Sequence, residues 1–276
     1  MSDALGVRLR EPHGDLGREG PAHACELSTI AEVSAADLAR LLRERRPCVV
    51  LTGAGVSTES GIPDFRSPTG LWARFDPLEY GSIQAFRRDP RKVWSFYAPR
   101  FSMLAAAEPN AAHLALAELE RRGIVSAVIT QNIDLLHERA GSRELIEVHG
   151  SIRTSHCPRC GAVYELAEVL ELPRQAEAPE CPACGAVLKP DVVFFGELLP
   201  EQAIDRAFEL ARSARLLLVV GSALEVHPVA GLPEETLQAG GEVAIVTKGP
   251  TPYDPRATLK IDASAGETLA EVQGML

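Results

Sequence analysis

No apolar run in the 276 residues approaches the ~20 needed to span a membrane, and Leu216 to Val220 is only of strand length. The first residues carry no apolar signal core, so no secretory leader is expected. Positive charge is in deficit: 28 Lys and Arg stand against 38 Asp and Glu, a net charge of −10. That balance argues against nonspecific binding to DNA or to an anionic membrane, and weakly favours cationic partners such as lysine-bearing segments. Cysteine is scarce, and four of the six residues fall into two CxxC pairs. This excludes a disulfide framework in favour of a metal site in a reducing compartment, so a cytoplasmic location is expected. Aromatics are only 5% of the chain, and no internal repeat is visible. The rest, 46% hydrophobic and 24% charged, is the balance of a soluble globular protein. Its length suits one large α/β domain with a smaller insertion.

The stretch Val49 to Arg66, VVLTGAGVSTESGIPDFR, is the most informative. Cys48-Val49-Val50-Leu51 is an apolar run of the kind that forms a buried parallel strand. Gly53-Ala54-Gly55 follows, where small residues let a phosphate approach free backbone N–H groups. Behind them the polar segment Ser57 to Arg66 ends in Asp64-Phe65-Arg66. Strand, glycine turn and charged tail together suggest a dinucleotide site that also does chemistry. The third glycine of GxGxxG is missing, since Thr58 stands there and the next glycine is Gly61. The glycines alone suit a plain tight turn equally well.

Residues 1 to 27 are rich in Gly, Pro, His and charge without an apolar period, as in a flexible tail. Ser28 and Ser34 are each candidate caps for a helix whose apolar face is Leu38, Leu41 and Leu42. From residue 67 to 109 short helical pieces are expected, broken by Pro68, Pro77, Pro90 and Pro99, with most of the aromatics forming a small core. Asn110 caps a helix that Gly123 stops. Further strands are expected at Val125 to Ile129, Glu144 to Val148, Asp191 to Phe195, Leu216 to Gly221 and Val243 to Thr247, with a helix over Glu201 to Arg212. Strands alternating with helices predict a doubly wound, Rossmann-like parallel sheet. This domain takes residues 28–66, 110–152 and 189–276, leaving 67–109 as a helical module and 153–188 as a second insertion.

That second insertion holds Cys157-Pro-Arg-Cys160 and Cys181-Pro-Ala-Cys184, 20 residues apart, each pair followed by a glycine. The spacing suits one tetrahedral Zn²⁺ on four thiolates, as in a zinc ribbon. With no open position the metal is structural. His156 is surplus to the quartet.

Two more motifs lie at strand ends, where ligands sit in open α/β sheets. Thr130-Gln131-Asn132-Ile133-Asp134 follows one strand and His149-Gly150 another. Each alone is an ordinary turn or polar residue. Together they place amides, a carboxylate and an imidazole around the glycine loop. With these residues the sequence resembles the sirtuin family, the NAD-dependent protein lysine deacylases. GAGVSTESGIPDFR, TQNIDLLH, the HG pair, the cysteine quartet, KPDVVFFGE and GSALEVHPVAGLP occur in the family's order from about Leu38 to Ile261.

The resemblance implies that Gly53, Ala54, Gly55 and Ser57 hold the NAD pyrophosphate region, with Ile62 and Asp64 at the nicotinamide, Phe65 screening water and Arg66 ordering the loop. Ser57 to Arg66 would then be a cofactor loop that does not enter a helix at once. Gln131 and Asn132 would position the nicotinamide ribose with Asp134 in support. Gly221, Ser222, Ala223, Thr247, Lys248, Gly249 and Ala265 would serve the adenosine half. The acyl-lysine oxygen attacks the ribose anomeric carbon as nicotinamide leaves. His149 then acts as general base through the ribose hydroxyls, giving free lysine and O-acyl-ADP-ribose. Val193, Phe194, Phe195, Gly196 and Glu197 would pair with an acyl-lysine peptide or protein, while Phe194 and its neighbours equally suit the core of the sheet.

Three departures stand out. Ala223 replaces a common serine, and Thr247 replaces a common asparagine, each a lost hydrogen bond worth about 1 kcal/mol. Tyr97 and Arg100 match the Tyr-x-x-Arg pair of members that remove succinyl or malonyl groups, and equally suit an ordinary helix face. Pro68 stands where those members tend to have alanine. NAD glycohydrolase or mono-ADP-ribosyltransferase activity from the same site remains open, as does a noncatalytic NAD-binding module. No heptad or exposed apolar helix face suggests a protein partner, so a monomer is expected.

Overall fold

The computed structural model describes residues 33–276 apart from Pro173, Ala176 and Glu177. The tail expected for residues 1–27 and the cap at Ser28 lie outside the described residues. Ser34 opens the helix Ala35–Glu44 through a capping box with Asp37, which satisfies orphan N–H groups of the first turn. Asn110 does the same for Ala111–Arg121, its carboxamide oxygen accepting from Ala112 and His113 N–H. Gly123 follows that helix in the left-handed region at φ 68°.

The strands are β1 Cys48–Thr52, β2 Val125–Thr130, β3 Leu145–Glu147, β4 Gly150–His156, β5 Val163–Glu165, β6 Arg174–Gln175, β7 Ala178–Pro179, β8 Lys189–Val192, β9 Leu216–Val220, β10 Glu242–Val246 and β11 Leu259–Ile261. Six of them form a sheet in the order β11-β10-β9-β1-β2-β3, and every pairing in it is parallel. Helices Ala35–Glu44, Ala111–Arg121 and Ala265–Met275 cover one face, while Glu201–Ser213 and Leu232–Gln238 cover the other. β1 and β9 are buried at every position, as two-sided covering requires. The chain leaves β1 toward β2 on one side and later returns to β9 on the other. The sheet's switch point therefore lies between β1 and β9, directly above Gly53 and Gly221.

Three expectations are corrected, and one strand is new. The strand expected over Asp191 to Phe195 is β8, which pairs antiparallel with β4 in a separate three-stranded sheet outside the parallel one. Pro99 breaks nothing, because it sits inside the helix Pro90–Ala106, whereas Pro77 and Pro90 open helices at the first turn. Ala54–Ser60 is a 3₁₀ helix that begins directly after Gly53, so the glycine turn does enter a helical segment at once. β11, a strand of three residues and too short to stand out in the sequence, adds the outermost strand.

A third core joins the two insertions. Trp94, Phe101 and Phe194, each less than 2% exposed, pack with Ile152, Leu188, Cys157 and Cys181. Trp94 also donates its indole N–H to Leu188 O at 2.6 Å. Truncating one such aromatic to alanine costs about 3–5 kcal/mol. The helical pieces and the cysteine segment therefore depend on each other's packing. Among the described residues no helix is long and apolar enough to cross a membrane.

Candidate active site

Gly53 and Gly55 meet Gly221 at the switch point. Gly55 N–H donates to Gly221 O at 2.8 Å, and a Cβ on Gly221 would lie 2.2 Å from Val56 N. Gly221 also has φ 62°, so a side chain is excluded twice over. The 3₁₀ turn thus lies against the β9 loop backbone to backbone.

Behind this turn is a buried polar network. Ser57 donates to Asp134 Oδ2 at 2.7 Å, and Asn132 Nδ2 donates to Ser57 Oγ at 3.0 Å and to Gly53 O at 3.2 Å. Leu136 N–H donates to the other oxygen of Asp134 at 3.0 Å. Ser57 and Asp134 are buried with their oxygens already engaged. Both therefore brace Asn132 and the Gly53 carbonyl from within the fold.

His113 and His137 close the network with ring centroids 4.8 Å apart, His137 Nε2 lying 3.0 Å from Thr52 Oγ1. Burial pushes His113 down from 6.5 to about 4, against the pull of Asp134. It pushes His137 to about 3, helped by His113. Unfolding lets both rings take up protons in this range. Their contribution to stability is complete above about pH 6.5 and is lost as pH falls toward 4. Thermal melts from pH 7.5 to 4 should show Tm level at first and then falling below 6.5. A Tm that rose on acidification across that interval would contradict the neutral pair.

His149 follows β3, half-buried, and its Nδ1 lies 3.0 Å from Gln131 O. A carbonyl can only accept, so Nδ1 carries the proton and Nε2 is left as the free base. Burial holds its pKa below 6.5; the Gln131 carbonyl opposes this, and Arg66 adds to it. Gln131 spends its amide on Ser222 Oγ at 2.9 Å, tying the β2 and β9 loops together.

Asp64 Oδ1 accepts from Arg66 N at 3.0 Å and Ser67 N at 2.8 Å, so its carboxylate shapes its own loop. Arg66 Nε reaches Glu225 Oε2 at 3.2 Å. Phe65 packs on Trp72 at 5.3 Å, and Trp72 also meets Phe96 at 5.5 Å and Phe195 at 6.2 Å. Trp72 therefore links the loop, the helical insertion and the β8 strap, a role hidden in the sequence among other aromatics. Leu135 and Leu224 carry positive φ of 65° and 56° beside the site. Such backbone costs an ordinary residue about 1–2 kcal/mol and marks places held by their surroundings.

Beyond β8, Phe194 is 1% exposed and packs on Phe86 and Tyr97. It packs as a core residue, since alternate residues of an extended strap face opposite ways. Phe195 is the outward member, 38% exposed, with its N–H donated to Gly81 O and its C=O accepting from Ile83. Val193 N–H donates to His149 O at 2.9 Å. On the adenosine side Thr247 is buried, Lys248 exposed, and Gly249 N–H donates to Asp262 at 3.2 Å. Ile62 packs against the third core, Ala54 opens the 3₁₀ turn and Ala223 is exposed.

In the insertion the four Sγ atoms of Cys157, Cys160, Cys181 and Cys184 lie within 4.8 Å of one another. Cys157 and Cys184 are 3.4 Å apart, and Cys160 and Cys181 3.6 Å. Tetrahedral zinc with Zn–S bonds of about 2.3 Å requires such spacings. The Tyr164 hydroxyl lies 3.2 Å from Cys181 Sγ, oriented as an outer-sphere partner.

A doubly wound α/β protein with glycines meeting at its switch point, a half-buried imidazole on a following loop and a four-cysteine module is the class that fold and site define. A profile of the Sir2 family matches residues 53–228, and the chain belongs to that family, the sirtuins. It is 46% identical over 233 residues to NAD-dependent protein deacylase 2 of Pyrobaculum aerophilum, covering 84% of this chain and 92% of that one. A solved Sir2 complex with a deacetylated p53 peptide and 3'-O-acetyl ADP-ribose is 40% identical, with TM-score 0.84 and coverage of 88% and 98%. A Sir2–p53 peptide–NAD⁺ complex matches with TM-score 0.80 at 40% identity, over 87% and 97% of the two chains.

Proposed function

We propose that this sirtuin removes acyl groups from protein lysines at the expense of NAD⁺, releasing nicotinamide, O-acyl-ADP-ribose and the free lysine. The observation that carries the reading is His149, its proton held on Nδ1 by the carbonyl of Gln131, which leaves Nε2 as the basic nitrogen. NAD⁺ supplies an already activated glycosyl bond, so the protein needs positioning and dryness more than a strong nucleophile. Gly53, Ala54 and Gly55 carry its pyrophosphate on a turn that the glycines let pack directly on Gly221 and Ser222. Asn132 and Gln131 orient the ribose, and Phe65, backed by Trp72, excludes water. The four cysteines hold a structural zinc.

Peptide binding falls to Val193, Phe195, Gly196 and Glu197 at the strap. Glu197 is fixed there by Lys189 at 3.0 Å and by Phe194 N–H at 2.9 Å. The thiol-rich module suits a reducing cytoplasm, and the enzyme acts as a monomer. Mass spectrometry of NAD⁺ incubated with an acetyl-lysine peptide tests the reading. O-acetyl-ADP-ribose is expected; free ADP-ribose alone would mean a glycohydrolase, and intact NAD⁺ a binding module.

The acyl pocket also accepts acids. The Arg100 guanidinium stacks 3.6 Å from the centre of Phe96 and 4.9 Å from that of Phe75, and it makes no ion pair among the described residues. Its Nε is buried without a partner, and burial lowers its pKa. Tyr97 lies one turn away. A partly desolvated guanidinium lacking a carboxylate is suited to receive one from the substrate. Arg100→Met should cut the rate on succinyl-lysine peptides tenfold or more, by about the worth of one charged hydrogen bond or two, and spare acetyl peptides. Equal loss on both would mean that Arg100 only supports the helix.

A further inference from the structure

Glu59 sits near the end of the 3₁₀ turn that starts at the glycines, 207 residues from its partner. Its Oε1 accepts from Gly266 N–H at 2.8 Å and from Ser264 Oγ at 2.7 Å. Ser264 is the N-cap of the C-terminal helix Ala265–Met275 but makes no side-chain cap bond to that helix. The carboxylate from the far end of the sequence takes the cap's place, where backbone N–H groups and the helix dipole favour a negative charge.

Gly266 shows that this contact is built into the helix. Glycine is a poor residue for a first helical turn, and here its φ does not lie in the left-handed region that would call for it. A Cβ on Gly266 would fall 2.2 Å from Glu59 Oε2 and 2.8 Å from its Cδ. The missing side chain is the space the carboxylate occupies.

Elsewhere the turn is held by Asn110, which donates to Val56 O at 2.8 Å and Ser60 Oγ at 3.1 Å, and by Ser57 on Asp134. Those contacts run to the β2 side. Gly53 and Gly55 tie its start to the β9 side, and Glu59 carries its far end to the C-terminal helix, where Ala265 stands at the expected adenosine contact, buried at the start of that helix. With Glu59 on the helix N-terminus, the Gly266 N–H there is already taken by a carboxylate.

We propose that Glu59 is a positioning residue that clamps the pyrophosphate turn to the adenosine-side helix and thereby sets affinity for the dinucleotide. The proposal rests on the NAD⁺ reading above. It is tested by calorimetric titration of NAD⁺ into the full-length protein, alongside steady-state kinetics with an acetyl-lysine peptide.

Glu59→Ala should raise the NAD⁺ Kd and KM about tenfold, the scale of two charge-assisted hydrogen bonds, while kcat at saturating NAD⁺ and the peptide KM stay within twofold. Gly266→Ala should raise the NAD⁺ Kd similarly by expelling the carboxylate, yet hold or raise Tm, because alanine is the better helix former. Glu59→Gln, which keeps an acceptor, should recover part of the affinity. The double variant should bind no worse than Glu59→Ala alone.

An NAD⁺ Kd within twofold of wild type in both single variants overturns the clamp. So does a double variant whose loss is the product of the two, or a parallel fall in kcat, peptide affinity and Tm. If the wild type binds NAD⁺ but forms no O-acetyl-ADP-ribose, the deacylase reading falls while the clamp stands. If it binds no NAD⁺, both fall.

Discussion

His149→Ala should lower kcat for deacylation by about 10²–10⁴-fold, the usual worth of a positioned general base, with NAD⁺ affinity unchanged within a few fold. The geometry sets this expectation. Nδ1 is committed to Gln131 O at 3.0 Å, so Nε2 is the only ring atom able to take a proton from substrate. Burial holds the ring below its ordinary 6.5 and hence neutral at pH 7. The rate of the wild type should therefore rise with pH through a midpoint below 6.5 and be flat above it. His149→Ala should lose that acidic limb. Product counting by mass spectrometry in single-turnover mixtures separates this step from nicotinamide release. Undiminished O-acetyl-ADP-ribose from the variant would falsify the assignment.

Stripping the metal should abolish deacylation while leaving much of the NAD⁺ affinity. Four thiols within 4.8 Å of each other repel once ionised, and a zinc ion is what makes their proximity favourable. Cys157 and Cys181 also belong to the core that holds Trp94, Phe101 and Phe194. Losing a structural zinc, worth about 10–16 kcal/mol in apparent binding energy for small zinc modules, should loosen that core and the strap beyond β8 with it. The glycine crevice is built on the parallel sheet, whose two cores contain none of these residues. Cys181→Ser should show less than one zinc per chain by elemental analysis, weakened near-ultraviolet dichroism from Trp94, and no turnover. A zinc-free protein with full activity would show that the thiols hold nothing the fold requires.

Much of the site was legible because chemistry and local geometry coincide there. Cys157, Cys160, Cys181 and Cys184 declare their ligand field by spacing, since each CxxC knuckle brings two sulfurs together locally. Ser34 and Asn110 mark helix starts because a cap acts over two or three residues. β1 and β9 are visible because two-sided burial demands unbroken apolar runs. Phe194 and Phe195 were not separable, because alternation says they differ but not which one faces the core. Pro99 stayed within a helix because packing of Val93, Trp94, Phe96 and Phe101 outweighs one missing hydrogen bond.

By itself the sequence determined the parallel α/β class, the cysteine quartet and the family. Each rests on residue types within a few positions of one another, where covalent connection enforces proximity. Tertiary structure alone decided that β8 leaves the main sheet, that Ser57 meets Asp134, and that Glu59 meets Gly266. Such contacts join residues far apart in the chain. Their partners are chosen by the packing of layers, which no local pattern encodes.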